Sequence, residues 1–157
     1  MKDKDIKGNS TLIDYQTLVV ESVFKGKEKS RIVTTHGIYY SEESVLNLLE
    51  DACNRFASTL EGRLKAIKKL MNYSVKTPLL IEPNHFGAFP TMSYRHVECV
   101  WIFNHPIHVE EVSKGRSIVY FSNGVSVSVN ASKHVLLKQH QRLHTSLNIY
   151  GLYQRNK

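Results

Sequence analysis

The chain has no apolar run near the roughly 18 residues needed to cross a bilayer as a helix. Its first ten residues, MKDKDIKGNS, lack the apolar core of a signal peptide. A spanning helix and an export route are therefore not expected, and the cytoplasm is the expected compartment. Cysteine is scarce: Cys53 and Cys99 are the only two, and neither stands in a C-x2-C pair. That spacing argues against a zinc finger or ribbon, and the missing export signal argues against a disulfide. The best metal-ligand constellation, Cys99, His105 and His108 with Cys53, does not have zinc-site spacing, and no metal or cofactor is expected.

Catalytic signatures are also missing. There is no G-x-S-x-G elbow, no H-E-x-x-H, no phosphate-binding glycine loop and no dinucleotide fingerprint. The adjacent carboxylates Glu110 and Glu111 fall in a strand-like segment, where neighbouring side chains point to opposite faces, so they do not form a shared acid–base site. An enzyme is not expected. Acidic residues run out at Glu111, while Lys114, Arg116, Lys133, Lys138, Arg142, Arg155 and Lys157 continue. Overall, 21 lysines and arginines face 14 aspartates and glutamates, a net charge of +7, which suits a polyanionic partner. A second basic block runs through Arg55, Arg63, Lys65, Lys68, Lys69 and Lys76.

The stretch from Lys76 to Pro106 organises the rest. It holds all four prolines and the single tryptophan, Trp101. Proline fixes φ, lacks an N–H and restricts the residue before it, so no helix can run through this stretch and strands are confined between the prolines. Val97–Phe103 is the longest proline-free apolar piece, and its β-branched and aromatic residues predict a buried strand with Trp101 in the core.

Around this stretch the 157-residue chain predicts one α+β domain, with an antiparallel, β-rich core, two helices in its first half and a C-terminal helix. Residues 1–10 are expected to be a disordered lead-in and residues 11–157 the folded domain. A strand or a bent pair of strands is predicted over Leu12–Phe24, and a further strand over Arg31–Tyr40. The apolar positions Val45, Leu48, Leu49, Ala52 and Phe56 then predict a helix over about 42–54, with Ser41 as its N-cap. Ser58-Thr59-Leu60-Glu61 matches a capping box and opens a second helix to about Asn72, with Leu60, Leu64, Ile67 and Met71 inward and Arg63, Lys65, Lys68 and Lys69 outward. Strands follow at Ile107–Val112, Ser117–Phe121 and Val125–Val129, the last two joined by Ser122-Asn123-Gly124, which suits a type I′ turn. The last helix places Leu136, His140, Leu143, Leu147 and Tyr150 on one face and Lys138 and Arg142 on the other, with Gly151 as its stop.

Several of these residues occur in an order and spacing that resemble the ComK family of competence transcription factors from Gram-positive bacteria. The matching positions are Cys53, Phe56, Ser58, Gly62-Arg63, Lys76-x-Pro78, Pro83, Phe89-Pro90-Thr91, Ser93, Cys99-x-Trp101-Ile102, a histidine near His105, and Phe121-Ser122-Asn123-Gly124. Asn54, Ala57 and Leu60 stand where relatives carry arginine, glycine and an aromatic residue. The resemblance implies a DNA-binding activator of competence genes that recognises A/T-rich boxes mainly through the minor groove. It also implies a homo-oligomer, with RNA polymerase and the MecA adaptor of the ClpC protease as partners. On this reading Arg63 is the first candidate for groove insertion, with Arg55, Lys65, Lys68, Lys69, Arg95, Lys138 and Arg142 as further DNA contacts. The alternatives are a ComK-like regulatory partner without activator function and, more remotely, a metal-dependent nuclease.

Overall fold

The structure is a computed structural model that describes residues 3–5 and 13–155. Strands β1 (Asp3–Asp5), β2 (Thr17–Lys25), β3 (Glu28–Thr34) and β4 (Ile38–Ser41) precede helices α1 (Val45–Asn54) and α2 (Leu60–Met71). Strands β5 (Leu79–Glu82), β6 (Phe86–Pro90), β7 (Val100–Phe103), β8 (Ile107–Ser113), β9 (Arg116–Phe121) and β10 (Ser126–Val129) lead to the long helix α3 (Lys133–Arg155). Three residues of the lead-in, Asp3–Asp5, pair in parallel with β4; its other residues, like Leu12, lie outside the described residues.

The strands form two sheets. The larger has the order β1-β4-β3-β2-β7-β6-β5, the smaller β10-β9-β8, and every pairing except β1 with β4 is antiparallel. Strand alternation divides the interior into two cores, one on each face of the large sheet. Val20, Ile32 and Trp101 point to the face covered by α1, while Val19, Val33 and Ile102 point to the face shared with the small sheet and α3. Trp101 is completely buried and sits opposite Val20 across the β2–β7 ladder. Helix α2 runs beside β5, sending Leu64 into the first core and Ile67 into the second. It thereby packs along an edge strand that would otherwise be open to pairing with another chain.

The prolines punctuate this sheet as expected: β5 lies between Pro78 and Pro83, β6 ends on Pro90, and β7 is complete before Pro106. Several local expectations need correction. Strand β7 begins at Val100 rather than Val97, because residues 91–99 turn and leave Val97 59% exposed. The N-cap of α1 is Ser44, whose hydroxyl accepts from the Asn47 N–H at 3.1 Å. Ser41 instead ends β4 and accepts from the Glu43 N–H. Helix α2 is capped by Thr59, not Ser58: its hydroxyl accepts from the Gly62 N–H at 2.9 Å. A Cβ at residue 62 would press on that Thr59 oxygen, so the helix-weakening glycine there leaves room for the cap.

The β9–β10 connection is not type I′. The Gly124 N–H bonds to the Phe121 carbonyl and only Gly124 has positive φ, which is the three-residue hairpin built on a type I turn with a glycine bulge. Helix α3 runs through Gly151 instead of stopping there. Glycine at that position gives space to the Asn84 side chain, which a Cβ would overlap.

Candidate nucleic-acid interface

Lys65, Lys68 and Lys69 are spaced at three and four residues along α2, which places them on one outer face of the helix. All three are exposed, and among the described residues none is in an ion pair. Lys68 and Lys69 lie in the last turn, where cations interact favourably with the helix dipole. The helix ends at Asn72, which takes a left-handed φ of 57° and turns the chain into residues 73–77.

That segment is held by α3. The Arg142 guanidinium lies 4.2 Å from the Tyr73 ring centroid and donates to the Val75 carbonyl at 3.1 Å. Beside it, the buried Gln139 carboxamide donates to the Lys76 carbonyl at 2.7 Å and the Pro90 carbonyl at 3.2 Å. The result is a cleft of about 400 Å³ whose walls include Leu64, Lys68, Lys76, Thr77, Ser93 and Tyr94. A neighbouring cleft of about 350 Å³ shares Leu64 and Tyr94 and adds Arg95. Arg95 is exposed, with its guanidinium over the Tyr94 ring and its Nε donating to the Tyr94 hydroxyl. Lys68, Lys76 and Arg95 therefore line adjoining hollows flanking α2.

The other candidate cations do different work. Arg63 is half-buried and donates through Nη2 to the Phe56 carbonyl at 3.1 Å, while its Nε is buried and has no partner among the described residues. Arg55, though exposed, donates to the Ile13 carbonyl. Arg142 holds the 73–76 segment, and Lys138 is exposed on α3. The structure thus brings Lys65, Lys68, Lys69 and Arg95 to the surface around one helix and commits Arg55, Arg63 and Arg142 to backbone carbonyls. Lys76 was legible within the basic block but not singled out. Gln139, flanked by Lys138 and His140 with nothing to mark it, gave no sequence signal for its bridging role.

The α1–α2 turn is anchored by Phe56, whose ring meets Phe86 edge-on at 5.9 Å. Within it Ala57 has a φ of 58°, a left-handed conformation that favours glycine. The Glu50 carboxylate of α1 accepts from the Leu60 N–H at the start of α2, tying the two helices together. Both cysteines are buried free thiols. Burial pushes the Cys53 thiol up to about 11, partly countered by the Arg63 charge, and burial also raises that of Cys99. Among the described residues no three His, Cys, Asp or Glu side chains are grouped to hold a metal ion, and no helix is long and apolar enough to cross a membrane.

These features define an α+β domain with a lysine-faced helix braced on a two-sheet frame. Comparison with protein families matches residues 9–157 to the ComK protein family. The chain belongs to the ComK family. It is similar to a competence transcription factor of Bacillus subtilis (strain 168), with 28% identity over 118 residues. That match covers 73% of this chain and 60% of the relative, so the chain spans less than two thirds of the relative's length. No solved structure matches the chain.

Proposed function

We propose that this chain is a DNA-binding transcription factor that activates competence genes and contacts A/T-rich duplex mainly through the minor groove. The observation that carries the reading is the unpaired lysine face of α2. Three exposed ammonium groups at helical spacing suit a row of phosphates, and releasing condensed counterions gives such contacts affinity without sequence preference. Membership of the ComK family and similarity to a protein named a competence transcription factor support the regulatory role.

Sequence preference needs a different group. A narrow A/T-rich minor groove has enhanced negative potential and favours arginine. Arg95 is exposed beside the lysine face, whereas Arg63 and Arg55 are engaged by carbonyls. Arg95 is therefore assigned to the groove, Lys65, Lys68 and Lys69 to phosphates, Lys138 to a flanking phosphate, and Arg63, Arg55 and Arg142 to positioning these surfaces. On this reading the protein binds rather than catalyses, acts at the nucleoid in the cytoplasm, and works as a homo-oligomer with RNA polymerase. Turnover through a MecA-type adaptor belongs to the same proposal.

The test is fluorescence anisotropy of the full chain with A/T-rich and G/C-rich duplexes near physiological salt, with and without a minor-groove ligand. Tighter binding to the A/T-rich duplex, displaced by the competitor, is expected. Equal affinity for both duplexes would overturn the assignment, and undiminished binding with the groove filled would overturn the minor-groove mechanism.

A further inference from the structure

His140 and His144 stand one helical turn apart on α3, so their rings share a face. Their Nε2 atoms lie 3.1 Å from each other, with ring centroids 4.4 Å apart and planes at 57°. The His140 Nε2 is also 3.2 Å from the carbonyl oxygen of His105, in the connection between β7 and β8. Phe89 of β6 meets the His140 ring edge-on at 6.2 Å and walls the cluster with apolar surface. Two imidazole nitrogens from one helix and a carbonyl oxygen from another part of the chain thus converge on a small volume. We propose that His140, His144 and the His105 carbonyl form a binding site for a borderline-soft divalent metal ion, zinc in the first instance.

The distances fit the ion. With zinc–nitrogen bonds of about 2.05 Å, nitrogens 3.1 Å apart subtend about 98° at the metal. A carbonyl bond of about 2.2 Å to an oxygen 3.2 Å from the His140 nitrogen subtends a similar angle, about 98°. Both lie between octahedral and tetrahedral values, so water can complete the shell. Imidazole selects zinc, nickel and copper over magnesium and calcium, whose sites are built from oxygen.

Without metal, one proton suffices for the cluster: a His140 Nε2–H can be directed at both the His105 carbonyl and the lone pair of the His144 Nε2. With metal bound, both Nε2 lone pairs turn to the ion and the His140 proton moves to Nδ1, so each ring stays neutral and no net proton is released. Burial lowers the pKa of both rings, and the nearby His140 lowers that of His144 further, which favours the neutral form that ligates metal. A bound ion would clip α3 to the β7–β8 connection. The site is separate from Cys53 and Cys99 and does not depend on the DNA-binding reading.

The experiment is calorimetric titration of the metal-stripped full chain with zinc chloride, together with thermal melts and the visible absorption of the cobalt(II) form. One equivalent of zinc is expected to bind and to raise the melting temperature. His144→Gln should abolish both effects, while His134→Gln, an exposed histidine on the same helix, should leave them intact. A dissociation constant weaker than about 1 mM would overturn the proposal. So would stoichiometric binding retained in His144→Gln, or lost equally in His134→Gln. Should His144→Gln fail to fold, imidazole NMR of the unmodified chain decides the matter. The His140 and His144 resonances must both shift on zinc addition, and shifts confined to other histidines would sink the idea.

Discussion

Arg63 and Phe56 close the turn between α1 and α2: the guanidinium of one donates to the backbone carbonyl of the other, seven residues earlier, at 3.1 Å. The family-matching Gly62-Arg63 pair therefore sets where α2 leaves α1, and with it the direction in which the lysine face points. A hydrogen bond from a charged donor is worth about 1.5–3 kcal/mol in a buried setting, and the part-exposed position of Arg63 discounts that. Arg63→Ala should lower stability by about 1 kcal/mol in urea titrations. Arg95→Ala should leave stability unchanged and reduce the preference for A/T-rich over G/C-rich duplex. The opposite pattern would return Arg63 to the groove.

Lys68→Ala should weaken binding to all duplexes alike. Removing one phosphate contact should reduce the slope of log affinity against log salt by about 0.9. A salt titration by anisotropy checks this, and an unchanged slope would remove Lys68 from the interface.

Ala57 offers a stabilising substitution. A left-handed non-glycine residue costs roughly 1–2 kcal/mol, while glycine loses about 0.4–1 kcal/mol through greater freedom of the unfolded chain. Ala57→Gly should therefore raise stability by about 0.5–1 kcal/mol, read from the denaturant midpoint at constant m-value.

Trp101 fills the core between the large sheet and α1 and is fully buried. Trp101→Ala should cost about 3–5 kcal/mol, enough to unfold a marginal domain. Wild-type tryptophan fluorescence should be blue-shifted and poorly quenched by iodide; strong quenching would contradict the burial.

Burial pushes the Cys53 thiol up to about 11, which leaves almost no thiolate at neutral pH. Alkylation of the native protein by iodoacetamide should be slow at Cys53 and rise sharply in denaturant. Mass spectrometry of the modified peptide gives the rate, and fast native labelling would show that the α1 face opens.

Much of the architecture could be read because its determinants are local. The spacing of Val45, Leu48, Leu49 and Ala52 specifies a helix by itself, and prolines delimit strands wherever they fall. Trp101 was legible as core because its neighbours are apolar. The N-caps were misplaced by one and three residues, since serines and threonines cluster before both helices and only the finished backbone selects one. The Asn-Gly pair suggested type I′, but the extra residue before Val125 imposes a bulge. At the candidate site, helical period placed the lysine face, whereas the employment of Arg55, Arg63 and Arg142 depends on carbonyls 42, 7 and 67 residues away. Periodicity also put His140 on the apolar face but passed over His144, because two histidines one turn apart gain meaning only when a third donor from another element meets them.

The carboxamide of Gln139 sets an order of assembly. It is the last-made of three partners, and both carbonyls it bridges, those of Lys76 and Pro90, belong to chain synthesised well before it. The segment following α2 therefore lacks its Gln139 and Arg142 brace until α3 has been made and docks. The wall of the cleft beside α2 that Lys76 and Thr77 supply is thus fixed only once α3 is in place.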